Sequence, residues 1–467
     1  MNCLKKILAF VFALASIPMI DCTYVNAEKL TNETVDFYDY WKEKYIVQDK
    51  YVTNDTQYYV WYSDTPYSDN NNGVEVTVSE AHGYGMLITA SMAEYDNQAK
   101  EIFDGMYAYY KAHLSEIAPN LMAWQQVDNG TAIVNSSGAD SATDGDMDIA
   151  YALLMADSVW GSDGDINYKQ SAIDVINDIM KYEVNKEDWI LQLGDWAYWS
   201  EKGEPEYSAT RASDFIMQYM PVFAEVTGDD RWLNVYDSTY TIINSIVDEY
   251  GTGILPDFIV KDSATGKFIA SPPEFLESEY DGYYYYNSCR TPWRISMDYL
   301  INGNQDAKKF ADTITSFISK ATKGDPSEIK AGYKLDGTPI EDYDDLCFTA
   351  PFMLAGACGD NKKWHDAVRE TAVNYGEDVY FGDTIKMLCL IVDDGGWIVP
   401  ENKGSEIIAG DVNADGVFNV ADVISMRNYL IGKDTLKNWQ AGDINNDNII
   451  DIFDLCGMRK MILSQLK

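Results

Sequence analysis

Carboxylates gather at two places in the chain where the surrounding residues are apolar or aromatic. In "ATDGDMDIAYALLMADSVW" (Ala142–Trp160), Asp144, Asp146 and Asp148 enter the opening turns of an apolar segment. In "EFLESEYDGYYYYNSCRTPWR", Glu274, Glu277 and Glu279 lie ahead of Tyr283–Tyr286, Arg290 and Arg294. A further glutamate, Glu80, opens the glycine- and tyrosine-bearing stretch "SEAHGYGM". Two carboxyl groups, one holding a proton and one ionised, are what acid–base cleavage of a glycosidic bond requires. Each cluster also has a plain structural reading. A glutamate in a helix's first turn complements the macrodipole. Aspartates at i, i+2 and i+4 cannot share one face, so at least one should cap the helix while another is free to point into a cleft.

From about residue 34 to 395 the apolar residues recur with helical rather than alternating period. Twelve candidate helices fall near 34–46, 79–93, 98–116, 144–161, 168–184, 212–227, 230–250, 290–302, 306–323, 347–358, 361–374 and 378–393. Ser79, Ser213 and Thr291-Pro292 read as helix starts. Twelve helices make six hairpins, which predicts an all-α fold, an α/α barrel with an inner and an outer ring. Two long stretches, about 185–211 and 251–289, are rich in Trp, Tyr and Pro. Loops of that length are usually functional or disordered, and the load of Trp, Tyr and Pro predicts ordered loops that wall a cleft.

The first residues, "MNCLKKILAFVFALASIPMI", pair Lys5 and Lys6 with an apolar run, and "VNA" at Val25–Ala27 supplies small residues for cleavage. That pattern predicts a signal peptide over 1–27 and an exported protein. No later apolar run is long enough for a spanning helix. The net charge is −40, from 35 basic and 75 acidic residues, which argues against nucleic acid or an anionic membrane as partner. Aromatic residues reach 13%, with 34 Tyr and 12 Trp, enough to fill a core and also to stack on sugar rings. Beyond the signal, Cys289, Cys347, Cys358, Cys389 and Cys456 are scattered and odd in number, forming neither a disulfide framework nor a C-x-x-C pattern. The three histidines are dispersed as well, which argues against a catalytic zinc.

After Trp397 a short linker (400–407) precedes two related segments offset by 32 residues, "GDVNADGVFNVADVISMRNYLIG" and "GDINNDNIIDIFDLCGMRKMILS". Calcium takes oxygen ligands from alternating loop positions. The first repeat supplies Asp411, Asn413, Asp415, the Val417 carbonyl, Asn419 and Asp422. The second supplies Asp443, Asn445, Asp447, the Ile449 carbonyl, Asp451 and Asp454. Gly416 takes the sharp turn, and Asn448 replaces it in the second copy as a residue that tolerates left-handed backbone. Each loop leads into one amphipathic helix. The pair resembles a type I dockerin over 408–467, built from EF-hand-like loop-helix repeats. That resemblance implies two Ca2+ ions and a cohesin module of a scaffoldin as partner. Partner-reading positions would be Val420-Ala421 and Ile452-Phe453, apolar in both copies but not identical.

The larger region, 28–399, resembles glycoside hydrolase family 8, whose endo-acting β-glycanases have an (α/α)6 barrel. The resemblance rests on the Asp-rich stretch Ala142–Trp160, on "SEAHGYGM", on "LMAWQQ" (Leu121–Gln126) and on "YNSCRTPWR" (Tyr286–Arg294). It implies Glu80 as proton donor, Asp144 as the aspartate holding the sugar at the cleavage point, and Trp124 as a stacking platform. It also implies inversion of configuration and no cofactor for catalysis. In one subgroup the base is an Asp just before the "CR-x-PWR" helix, where this chain has Asn287, and an amide cannot accept the proton. In the other subgroup, similar to lichenases, chitosanases and some cellulases, a Glu from the preceding loop serves, and "PPEFLES" puts Glu277 there. Glu274 and Glu279 are the alternatives. Arg290 is expected to anchor that loop or orient the glutamate, and to stand with Tyr284 and Tyr286 among the residues that bind the sugar. The expected activity is a secreted, cellulosome-bound endo-β-1,4-glucanase acting on cellulose and mixed-linkage β-glucan. A chitosanase, and a non-catalytic glycan-binding subunit, are the alternatives.

Overall fold

The computed structural model describes residues 30–54, 56–67, 73–376, 378–400, 409–413, 417–431, 433, 436, 438–444 and 450–465. The expected signal peptide, nearly all of the expected linker, and Asp415, Gly416, Asn445, Asp447, Asn448 and Ile449 lie outside the described residues. The chain divides between Pro400 and Glu401 into two compact units.

In the larger unit the chain passes through α1 (Asn32–Tyr45), α2 (Ser79–Ser91), α3 (Ala99–Ala112), α4 (Thr143–Trp160), α5 (Tyr168–Tyr182), α6 (Tyr219–Thr227) and α7 (Arg231–Tyr250). It continues through α8 (Thr291–Asn302), α9 (Gln305–Ala321), α10 (Leu346–Thr349), α11 (Pro351–Ala357), α12 (Lys362–Asn374) and α13 (Tyr380–Asp393). Burial sorts them into two rings. Every residue of α2 except Glu80 is buried, and so is all of α4 from Thr143 to Ala156. Helices apolar on all sides belong inside. Outer helices such as α3, α5, α7, α9 and α12 bury only a stripe. Inner and outer helices pair as α2 with α3, α4 with α5, α6 with α7, α8 with α9 and α11 with α12, and α13 packs on α1 to complete the (α/α)6 barrel. That closing joint is polar: Thr31 and Thr34 donate to the Asp394 carboxylate at 2.7–2.8 Å.

Three expectations change. The helix near 347–358 is two helices, because Pro351 has no N–H to continue α10. The segment near 212–227 opens with a short 3-10 turn, Ala212–Asp214, and α6 begins only at Tyr219. Ser79 does not cap α2: the cap position is Val78, without a side-chain bond, and Ser79 lies inside the helix. The two long stretches are ordered. Strand Ala209–Arg211 from the first pairs with Phe258–Lys261 from the second, which pairs in turn with Phe268–Ala270.

Two glycines let α2 and α4 meet closely. A Cβ on Gly145 would stand 2.5 Å from Ser79 Oγ and 2.7 Å from the Ser79 carbonyl carbon. One on Gly83 would stand 2.7 Å from Asp148 Cβ. The contact places the start of α2 against the start of α4, so Glu80 and Asp144 become neighbours.

The smaller unit contains α14 (Val420–Leu430), α15 (Trp439–Gly442) and α16 (Ile452–Gln465). Val412, Phe418, Met426, Leu455 and Met458 form its core. Among the described residues no helix is long and apolar enough to cross a membrane. Cys289, Cys347, Cys358 and Cys389 are buried free thiols, and Cys456 is exposed.

Candidate active site

Glu80 projects from the first turn of α2 with 18% of its side chain exposed. Its Oε2 accepts from Arg290 Nη1 at 2.5 Å, and its Oε1 accepts from the Tyr380 hydroxyl at 3.1 Å. The same Arg290 nitrogen donates to Asp144 Oδ2 at 2.9 Å and faces the Tyr84 hydroxyl at 3.2 Å. Burial pushes the Glu80 carboxyl above the ordinary glutamic acid value. Arg290 pulls against that rise and the Asp144 charge adds to it. Burial acts on Asp144 too, but Arg211 and Arg290 outweigh it and hold that carboxyl below the usual aspartate value. Adjacent carboxyls driven apart in this way suit one to carry a proton while the other stays ionised.

On the loop preceding α8, Glu277 is half-exposed, at 47% of its side chain. Asn287 Nδ2 donates to Glu277 Oε2 at 2.8 Å, and Arg211 Nη1 lies 3.8 Å from Oε1. Arg211 also reaches Asp144, at 3.8 Å, and Asp214, at 3.5 Å. Burial lifts the Asp214 carboxyl to about 7 in spite of Arg211. The loop is held from beneath by Asp281, whose carboxylate accepts the N–H groups of Leu276, Glu277 and Ser278 at 2.7–3.0 Å. Glu80 and Glu277 are joined through two side chains: Arg290 Nη2 donates to Asn287 Oδ1 at 3.2 Å, so Arg290 and Asn287 stand between the two carboxyls. Of the three loop glutamates, Glu277 is the one that engages Asn287 and Arg211; Glu274 and Glu279 are exposed on the same loop.

The α4 aspartates divide their work differently from the expectation that one caps the helix. The α4 cap position is Ala142, without a side-chain bond. Asp146 accepts the Met122 N–H at 2.8 Å, and Asp148 pairs with the buried Arg294 while accepting the Tyr219 hydroxyl at 2.9 Å. Trp124 lies beside the start of α2, its carbonyl accepting the Ser79 N–H at 2.8 Å, and the residue is 38% exposed. Tyr284, expected at the sugar, is fully buried: its hydroxyl donates to the Cys289 carbonyl at 3.3 Å and its backbone bridges to Tyr333. It is a core residue, its ring packed against Tyr333 and Phe348. Tyr286 is partly buried, with its hydroxyl on Asp345 at 3.0 Å. Arg290 is almost wholly buried, and its guanidinium is engaged with Glu80, Asp144, Tyr84 and Asn287. Arg211 and Tyr380 were missed by sequence reasoning. The one available signal was that Arg211 is the single arginine of the stretch 185–211.

Residues 18–395 match the family model described as glycosyl hydrolases family 8. The chain belongs to glycosyl hydrolase family 8. It is therefore a glycoside hydrolase, and its substrate is a glycan. The family 8 region is 45% identical over 363 residues to a beta-glucanase of Niallia circulans, covering 77% of this chain and 83% of that one. It is 31% identical over 386 residues to endoglucanase A of Acetivibrio thermocellus, covering 78% and 75%. Among solved structures, an apo beta-1,3-1,4-glucanase from Paenibacillus sp. X4 superposes with a TM-score of 0.71 at 43% identity, over 79% of this chain and 92% of that one.

Residues 409–463 match the type I dockerin model, a calcium-binding module whose partner is a cohesin. The residues present fit that ion. Asp422 and Asp454 are fully buried carboxylates at equivalent loop ends. Asp422 accepts the N–H groups of Asn413 and Asn419, and Asp454 those of Ile444 and Asp451, at 2.9–3.1 Å. Each pair of bonds draws one early and one late residue of the loop onto that carboxylate, the position from which calcium takes its last ligand. Asn419 and Asp451, each ninth in its loop counted from Asp411 and Asp443, cap the following helices: Asn419 Oδ1 accepts from Ala421 N, and Asp451 Oδ1 from Phe453 N, both at 2.7 Å. That use agrees with a position that often reaches calcium through a water.

Proposed function

We propose that this chain is a secreted endo-β-1,4-glucanase, tethered to a scaffoldin, that cleaves cellulose chains and mixed-linkage β-glucan with inversion of configuration. The observation that carries the chemistry is the pair Glu80 and Glu277, one mostly buried and one half-exposed, with Arg290 and Asn287 between them. Inversion needs two carboxyls far enough apart to admit a water. Glu80 gives its proton to the leaving glycosidic oxygen. Water attacks the anomeric carbon from the opposite face and loses its proton to Glu277, so the bond to the leaving oxygen breaks as the bond to water forms. Asp144, held ionised by Arg211 and Arg290, accepts hydrogen bonds from the sugar at the cleavage point. Trp124 stacks on a neighbouring ring, and Tyr286 lines the approach.

The glucan preference is supported by relatives named for glucanase activity and by a solved neighbour named as a beta-1,3-1,4-glucanase. The net charge of −40 favours a second reading, a chitosanase, since a polycation is drawn to an acidic protein. Two Ca2+ ions in the dockerin and export through the N-terminal signal complete the proposal.

The test is reducing-sugar release by wild type and Glu277→Gln on soluble cellulose, mixed-linkage glucan and chitosan. A general base contributes about 10²–10⁴-fold, so a loss of that order with glucans turned over fastest is the expected result. Near-normal activity in the variant would move the base to Glu274, Glu279 or an aspartate elsewhere. Turnover of chitosan alone would select the second reading, and no turnover on any glycan with binding retained would make the chain a non-catalytic subunit.

A further inference from the structure

Asn287 sits among two carboxylates and one guanidinium, and its amide offers a donor and an acceptor of nearly the same shape. Nδ2 donates to Glu277 Oε2 at 2.8 Å and to Asp257 Oδ2 at 3.3 Å, while Oδ1 accepts from Arg290 Nη2 at 3.2 Å. Turned over, the amide would set its oxygen against both carboxylates and its NH2 against the guanidinium.

Asp257 lies outside the reacting groups yet grips this turn completely. It is buried, and an unpaired buried carboxylate is costly. Five donors offset that cost, and all five come from Tyr285, Asn287 and Ser288. Oδ1 accepts from Tyr285 N at 2.9 Å, Ser288 N at 2.8 Å and Ser288 Oγ at 2.6 Å, and Oδ2 accepts from Asn287 N at 3.1 Å and from Nδ2. The backbone of Asp257 reaches the segment that carries Arg211, the other partner of Glu277. Its carbonyl accepts the N–H of Ala212, the residue after Arg211, at 3.0 Å. One residue therefore ties together the two segments that carry Arg211 and Asn287.

We infer that Asp257 is a positioning residue for the general base: it fixes the amide of Asn287 with its N–H toward Glu277 and so sets the angle at which Glu277 meets the attacking water. The inference rests on Glu277 being the base. It predicts an effect on turnover rather than on substrate binding, because neither Asp257 nor the Asn287 amide needs to touch the glycan for the carboxylate to be misaligned.

The experiment is a double-mutant cycle on the full chain, with kcat and KM on mixed-linkage glucan for Asp257→Asn, Asn287→Ala, Glu277→Gln and the two doubles with Glu277→Gln. Misplacement of a reacting group by about 1 Å can cost about 10²-fold, so each positioning variant should lose roughly tenfold to a hundredfold in kcat with KM within about twofold. Groups acting through one carboxylate are non-additive, so neither should lower the rate of Glu277→Gln by more than about threefold. The inference is overturned if Asp257→Asn keeps wild-type kcat, or if its full loss recurs in the Glu277→Gln background, as a general packing defect would cause. If Asp257→Asn does not fold, Asn287→Ala carries the same cycle. A Glu277→Gln enzyme with near-normal turnover would overturn the base assignment and this inference together. An inactive Glu277→Gln with additive losses would overturn this inference alone.

Discussion

At the residue scale, the two proposed catalytic carboxyls differ in how the protein treats them. Glu80 is the one residue of α2 that is not buried, yet enough protein surrounds it to raise its pKa above the ordinary glutamate value. An acid of that kind stays protonated, and so competent, to higher pH than a solvent-exposed glutamate. The alkaline limb of kcat/KM on mixed-linkage glucan should therefore fall at a pH above the ordinary glutamate value of about 4.3. Glu80→Gln should lower turnover by roughly 10²–10⁴-fold, with the limb absent from whatever activity remains. A pH-rate series on both proteins checks this. A wild-type limb at or below the free glutamate value would argue that Glu80 is not the acid.

At the element scale, the site depends on the close approach of α2 and α4. Gly145→Ala would drive a methyl into the backbone of Ser79, and overpacking of that kind costs about 1–3 kcal/mol. Because the displaced backbone adjoins Glu80, activity should fall as well, seen as a lower melting temperature together with a reduced kcat. The joint between α4 and α5 makes a different prediction. Asp146 and Glu183 are fully buried and act on one another, and burial raises both carboxyls well above their ordinary values. Asp146 and Glu183 hydrogen-bond to one another, and Glu183 Oε1 accepts from Ser141 Oγ at 2.6 Å. The folded state holds protons here that the unfolded state releases near pH 4. Stability is therefore full below that pH and declines as pH rises toward the raised folded values. Glu183→Gln replaces the held proton with a permanent N–H. Its melting temperature should exceed that of wild type at pH 8 and converge with it near pH 4. A variant less stable than wild type at pH 8 would refute this account.

At the scale of the whole molecule, the family 8 region and the dockerin are two units with separate cores. Among the described residues the small unit has few buried apolar side chains, and a module of that size leans on its metal for folding energy. Chelation of the full chain with EGTA should abolish the protease resistance of 409–463 while changing glucan turnover by less than about twofold, since the proposed acid and base are side chains of the larger unit alone. Loss of hydrolysis on chelation, restored by calcium, would show instead that the barrel depends on the ion.

What the sequence determined by itself was whatever is written in contiguous residues. Helical period over 34–395 announced the barrel, the 32-residue repeat announced the dockerin, and the stretches around Glu80, Asp144 and Glu277 named the candidates. These signals are local, so a linear reading finds them. The tertiary structure decided which groups meet. Arg290 reaches Glu80 across 210 positions of chain and Asp144 across 146, and no local pattern encodes such a contact. It also decided that Tyr284 packs inward, that the first turn of α4 has no side-chain cap, and that Glu277 rather than Glu274 or Glu279 faces Asn287. Arg211 and Asp257 entered the site only through strand pairing between two long stretches that read as loops. Burial and hydrogen-bond partners come from packing, and packing is what separates the carboxyls of this site in pKa.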